Sequence, residues 1–123
     1  MPLQFLLDEH LRGGGLWHAI GRHNAHSPYP FHAVRVGDRA DLPLGSTDPE
    51  ILVWAEHEGY ILVSQDKRSL TAYLAAHLKL GHRAPGVFVI RSGCTVAQVV
   101  FFLALAAHAG DPTAFQDHIE YIP

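Results

Sequence analysis

Asp8, Asp48 and Asp66 are the residues whose type and placement in this sequence can do chemistry. Asp8 closes the apolar run Leu3-Gln4-Phe5-Leu6-Leu7. Asp66 follows Tyr60-Ile61-Leu62-Val63 and the polar pair Ser64-Gln65. Short unbroken apolar runs read as strands buried on both faces of a parallel sheet. In open α/β sheets, ligands and catalytic groups gather where such strands end. Asp48 stands in Thr47-Asp48-Pro49-Glu50, on the connection that leads toward the strand of Asp66. Three carboxylates held close at one edge cannot all stay ionised without a cation. A hard divalent ion, Mg²⁺ or Mn²⁺, takes oxygen ligands. It can polarise a phosphodiester and lower the pKa of an attacking water. Each acid also has a plainer reading: Asp48 as a helix N-cap, Asp8 as the start of a loop, Asp66 as the cap of the helix it precedes. What favours the chemical reading is that one topology brings all three to one edge.

The elements that must position them follow from the apolar pattern. Residues 3–7 form a first strand. Arg12-Gly13-Gly14-Gly15 interrupts the chain, since each glycine costs a helix roughly 1 kcal/mol. This turn lacks the Lys-Ser/Thr ending of a phosphate loop and the spacing of a dinucleotide fingerprint. A first helix starts near Leu16 and runs to about His23. Phe31–Val36 alternates as a second strand, and Gly37–Ser46 is a polar loop. Asp48 before Pro49 predicts an N-cap followed by proline at the first helical position. Ile51, Leu52, Trp54 and Ala55 give that helix its buried face, and Gly59 ends it. After the third strand, Leu70, Tyr73, Leu74, His77 and Leu78 recur at helical spacing between Lys67 and Leu80. Val87–Ile90 is a fourth strand. Thr95 caps a last long helix through His108, apolar nearly all round and so expected to be well covered. Ile119–Ile122 adds a short final strand. Alternation of strands and helices predicts an α/β chain with a parallel sheet covered by helices on both faces.

Composition bounds the partners. At 123 residues the chain is expected to form one domain, residues 1–123, large enough for a core without disulfides. A hydrophobic fraction of 48% against 17% charged excludes a disordered chain. The net charge of −3 gives no basic surplus, so contact with nucleic acid must use a local patch or a bound cation. One cysteine, Cys94, allows no internal disulfide and fits a reducing compartment. No leader opens the chain, and Val96–Ala107 is too short to span a bilayer, so a cytoplasmic protein is expected. Ten histidines are many. His23 and His26 are three apart in what reads as a loop, His77 and His82 are five apart, and no His-Glu-x-x-His or Cys/His ladder occurs, so most are read as surface residues.

At these same residues the sequence resembles a known family. Phe5-Leu6-Leu7-Asp8-Glu9, then Thr47-Asp48-Pro49-Glu50-Ile51-Leu52 with Ala55, then Gly59-Tyr60-Ile61-Leu62-Val63-Ser64-Gln65-Asp66, is similar to short PIN-like domains. The likeness is greatest to the compact bacterial group of VapC-type toxins. Ala84-Pro85-Gly86-Val87 and Ile119-Glu120-Tyr121-Ile122-Pro123 extend it over nearly the whole chain. The resemblance implies a three-layer α/β/α fold with a central, mainly parallel sheet and a metal-dependent endoribonuclease activity using Mg²⁺ or Mn²⁺. It carries metal ligation onto Asp8, Asp48 and Asp66, and a site-orienting role onto Ser64. It further implies an RNA substrate, a small antitoxin protein that silences the toxin, and a tendency to form homodimers. Trp17, Tyr29 and Phe31 are candidates for such contacts, with core packing the simpler reading of Trp17.

The sequence departs from the family at two places. The family's glutamate on a helix between the first and middle acids has only Glu9, Asp38 and Asp41 as counterparts here, which leaves Glu9 as an auxiliary metal ligand. Where many PIN-like chains carry a second aspartate after the last acid, this chain has Arg68. Arg12, Lys67 and Arg68 lie near the edge and can meet RNA phosphates. The alternative reading is a PIN-like module that keeps partner binding and has lost its chemistry. A receiver-like phosphoacceptor fits less well, because it needs a lysine after a late strand and Arg91 stands there.

Overall fold

The computed structural model describes residues 3–122, in which five short strands form one parallel sheet. The order of elements is β1 (Gln4–Leu7), a 3₁₀ turn (Glu9–Leu11), α1 (Leu16–His26), β2 (His32–Arg35), α2 (Asp48–Glu58), β3 (Ile61–Ser64), α3 (Lys67–Lys79), β4 (Val87–Ile90), α4 (Val96–Ala109), α5 (Pro112–Phe115) and β5 (Ile119–Ile122). The sheet order is β2-β1-β3-β4-β5. The architecture is therefore three-layer α/β/α around a parallel sheet. The strand order reverses between β1 and β3, which pair with Leu6 opposite Leu62. In sheets of this kind that reversal opens a crevice beyond the carboxyl ends of the strands.

The pleat sorts the core into two halves. Phe5, Leu7, Ile61, Val63, Phe88 and Ile90 face the layer of α1 and α4, where Ile20, Val99 and Leu103 meet them. Leu6, Leu62, Val87 and Val89 face α2 and α3, against Ile51, Leu52, Leu70 and Leu74. Because both faces are covered, every position of β3 and β4 is buried. This is why those runs read as continuous apolar stretches rather than alternating ones.

Local chemistry moves several expected boundaries. Tyr60 stays out of β3 because its N–H, like that of left-handed Gly59, donates back to the Ala55 carbonyl at the end of α2. Phe31 stays out of β2 because the Asn24 side chain bonds both its N–H and its carbonyl. Its ring is buried edge-on against Phe5, so Phe31 is core rather than a contact aromatic. Helix α1 runs on past His23 to His26, where Ser27 and Pro28 stop it. The largest departure is α4. One face is buried, yet Phe101 is 70% and Leu105 53% exposed. These residues line a groove between α4 and α1 that Tyr29 and His108 border. No helix among the described residues is long and apolar enough to cross a membrane.

Candidate functional site

Asp8 is delivered by the end of β1 and is buried, with 8% of its surface exposed. Its N–H donates to the Val63 carbonyl at 2.9 Å, which continues the β1–β3 ladder and locks the residue beside β3. Its Oδ1 accepts from the Glu9 N–H at 2.8 Å and caps the 3₁₀ turn. Its Oδ2 accepts from the Ser64 hydroxyl at 3.1 Å. Ser64, buried at the end of β3, also accepts from the Asp66 N–H at 3.1 Å. One hydroxyl thus ties the first acid to the backbone of the third across the point where the strand order reverses. Asp66 is exposed and caps α3, its Oδ1 accepting from the Ser69 N–H at 3.1 Å. The capping expected of Asp66 and its place at the edge are both realised.

Asp48 is not an N-cap. Thr47 takes that position and forms a reciprocal capping box with Glu50, which leaves Asp48 as the first residue of α2. A threonine one residue earlier, with glutamate three residues on, outcompetes the aspartate for the free N–H groups. Relieved of capping, the half-buried Asp48 carboxylate makes no hydrogen bond or ion pair with a described residue. Partial burial raises its pKa above the ordinary carboxylate value, and the charges of Asp8 and then Asp66 push it further in the same direction, against an opposing pull from His10. Asp48 therefore feels the charges of both other acids. Three like charges favour a spread arrangement, and the aspartates do not gather three candidate ligand atoms as closely as a second group described below.

The other residues expected at this edge divide sharply. Glu9 is half-buried and its Oε1 accepts from the Gly45 N–H at 2.6 Å, holding the β2–α2 connection against the end of β1. That oxygen acts on the loop that delivers Asp48. Arg12 is occupied elsewhere: its Nη1 donates to the Val36 carbonyl and to Asp38, each at 2.9 Å. Asp38 also takes Arg35, and these guanidinium bonds hold its carboxyl below the usual range. Lys67 is exposed at the start of α3 with its ammonium 5.4 Å from the Tyr121 ring, which Arg91 also covers. Arg68 is exposed beside it. Trp17 is half-buried under the Arg35 guanidinium, 4.4 Å from its ring centre. His10 is exposed with its Nδ1 3.3 Å from Asp8 Oδ2.

A second group of ligand types lies at the opposite edge, and sequence spacing did not reveal it. Glu56 near the end of α2, His77 near the end of α3 and His82 just beyond it place one donor atom each within 4.8 Å of one another. Such a group can hold a metal ion. His77 Nε2 and His82 Nδ1 approach the same Glu56 oxygen at 3.2 and 3.1 Å. The other Glu56 oxygen accepts from the Arg83 N–H at 3.0 Å. That backbone bond, with the nearby imidazoles, holds the Glu56 carboxyl below its ordinary pKa. The signal available in sequence was His77 itself, a polar residue on the buried face of a helix.

Compared with protein-family models, with curated proteins and with solved structures, the chain gives no significant match.

Proposed function

We propose that the chain is a metal-dependent endoribonuclease whose cation site is formed by Asp8, Asp48 and Asp66. The observation that carries this reading is the hydrogen-bonded relay from the Asp66 backbone through Ser64 to Asp8 at the strand reversal, with the unpartnered Asp48 carboxylate electrostatically coupled to both acids. All three donors are carboxylate oxygens, the set a hard cation prefers. Asp48 in particular fits a cation, since it carries like-charge repulsion and bonds no described residue. Mg²⁺ or Mn²⁺ held by these oxygens supplies charge for a phosphodiester oxygen and acidifies a water.

The chain's own groups do the rest. Ser64 holds the Asp8 carboxylate in place at the end of β1 through its hydroxyl. Glu9 sets the loop that brings Asp48 to the edge. Lys67 and Arg68, at the first turn of α3, offer positive charge to the phosphates on either side of the scissile bond. Arg12 supports the loop through Val36 and Asp38, which makes it a scaffold residue rather than an RNA contact. The apolar stripe of Phe101 and Leu105 supports a protein partner, and a small silencing protein or a second copy of the chain fits the toxin reading.

The test is cleavage of a mixed RNA pool by the purified chain with Mg²⁺ or Mn²⁺. Metal-dependent cleavage lost in Asp8→Asn supports the proposal. Absence of cleavage by the parent chain, together with tight binding of a protein partner, favours the inactive-module reading that Arg68 suggests.

A further inference from the structure

The geometry points to a second cation site, of Zn²⁺ class, formed by Glu56, His77 and His82 and independent of the acidic edge. Its donors are two imidazole nitrogens and one carboxylate, which suit a borderline cation such as Zn²⁺ rather than Mg²⁺. In a tetrahedral site with metal–ligand bonds of roughly 2.0–2.2 Å, neighbouring donors stand about 3.3 Å apart. Both imidazole nitrogens already stand 3.1–3.2 Å from one Glu56 oxygen. Three protein ligands leave a fourth position for water.

The ligands differ in freedom. The His77 side chain is 4% exposed, and its Nε2 also lies 2.9 Å from the Arg83 carbonyl, so its ring is fixed by the core. The other Glu56 oxygen is fixed by the Arg83 N–H. His82 has a 44% exposed side chain and lies stacked on His77, with ring centres 4.7 Å apart and planes 18° from parallel. Stacked rings do not aim both lone pairs at one ion. Coordination therefore requires the His82 ring to tilt against His77 while its Nδ1 stays near Glu56, which its exposure permits, and requires His77 Nε2 to give up its proton and its bond to Arg83.

The location assigns a role. Helices α2 and α3 carry Asp48 and Asp66 at their amino ends and Glu56 and His77 near their carboxyl ends. Asp48 and Glu56 are eight residues apart on one helix, about 12 Å along its axis. An ion here clamps the two helices that present two of the three acids, and fastens them to the loop that enters β4. It does so without touching the acidic edge, and the inference stands whether or not the chain cleaves RNA.

Calorimetric titration of the full chain with Zn²⁺, paired with thermal denaturation, tests the site. With the acidic edge held by excess Mg²⁺, one equivalent is expected to bind and to raise Tm in a concentration-dependent way. His82→Ala, at an exposed position that leaves the fold intact, and Glu56→Gln are each expected to weaken binding at least about tenfold. His57→Ala, an exposed histidine on α2 outside the group, is expected to bind as the parent does. In the parent, the His82 ring resonances should shift on titration. No stoichiometric binding by the parent, or binding unchanged in His82→Ala, overturns the proposal. So does binding lost in Asp8→Asn but kept in His82→Ala, which moves the ion to the acidic edge.

Discussion

The two edges of the sheet assemble ligand-type side chains in opposite ways. At the carboxyl edge, Asp48 is repelled by Asp8 and Asp66 and has no hydrogen-bond or ion-pair partner among the described residues. At the amino edge, one Glu56 oxygen stands 3.1–3.2 Å from both ring nitrogens, the two rings stack, and Arg83 backbone groups bond Glu56 and His77. The first arrangement leaves Asp48 with a raised pKa, the kind of perturbation that clusters at functional sites. The second is stable as it stands, and a cation there must displace existing bonds. The difference teaches that closeness and unbalanced charge are separate properties of a cluster. The looser set carries the unresolved charge.

The largest expected effect separates the edges by activity. Asp8→Asn and Asp66→Asn each keep the oxygen that caps the following turn or helix, so both should fold. Each should lower metal-dependent RNA cleavage by at least about a hundredfold, because a charged ligand is lost. His82→Ala should leave the cleavage rate in Mg²⁺ within about twofold, since it acts only through scaffold rigidity. Rates measured side by side check this, and equal losses at both edges would dissolve the distinction.

Ser64→Ala should come next. It removes the hydroxyl that joins Asp8 to the Asp66 N–H, leaving a buried acceptor and a donor without their partner. Activity should fall about 10–100-fold, as for outer-shell partners of metal ligands. Stability should fall by about 1–3 kcal/mol, read from urea unfolding. Ser64→Thr should recover much of both.

A smaller effect follows from repulsion at the acidic edge. The pKa of Asp48 is raised in the folded chain, so over the affected range the folded state holds a proton that the unfolded state has released. The resulting penalty is absent at pH below the unfolded value, grows as pH rises toward the folded value, and is complete above it. Asp48→Asn removes that penalty. The variant should match the parent near pH 3 and exceed it in Tm at neutral pH. Saturating Mg²⁺ should erase or reverse the gain, since only the parent then has a full ligand set. Thermal scans across pH, with and without Mg²⁺, check the sign. The smallest change is expected of Glu9→Gln, which can still accept from Gly45. Its activity should change only a few-fold, whereas loss comparable to Asp8→Asn would make Glu9 a ligand in its own right.

Much of the fold was legible because the signals were local and strong. The buried runs of β3 and β4, the proline after Asp48 and the turn at Gly59 each fix an element from a few residues. What escaped depended on neighbours distant in sequence. Phe31 looked like a strand residue until Asn24 took both its backbone groups. The coverage of α4 was misjudged because an all-round apolar helix does not say how much of it α1 can cover. Asp48 was read as a cap because its own neighbourhood favours one, yet Thr47 and Glu50 together bind more N–H groups than one aspartate. The acids at the strand ends were visible from topology alone. Glu56, His77 and His82 were not, because two helices and a loop bring them together and no spacing motif records that.

The central claim is that Asp8, Asp48 and Asp66 hold one divalent cation. Electron paramagnetic resonance of free Mn²⁺ during titration measures this directly in the parent and in Asp8→Asn, Asp48→Asn, Asp66→Asn and His82→Ala. The account predicts one site in the parent, weakened at least about tenfold in each aspartate variant and unaltered in His82→Ala. Mn²⁺ affinity unchanged by Asp8→Asn and Asp66→Asn would contradict it.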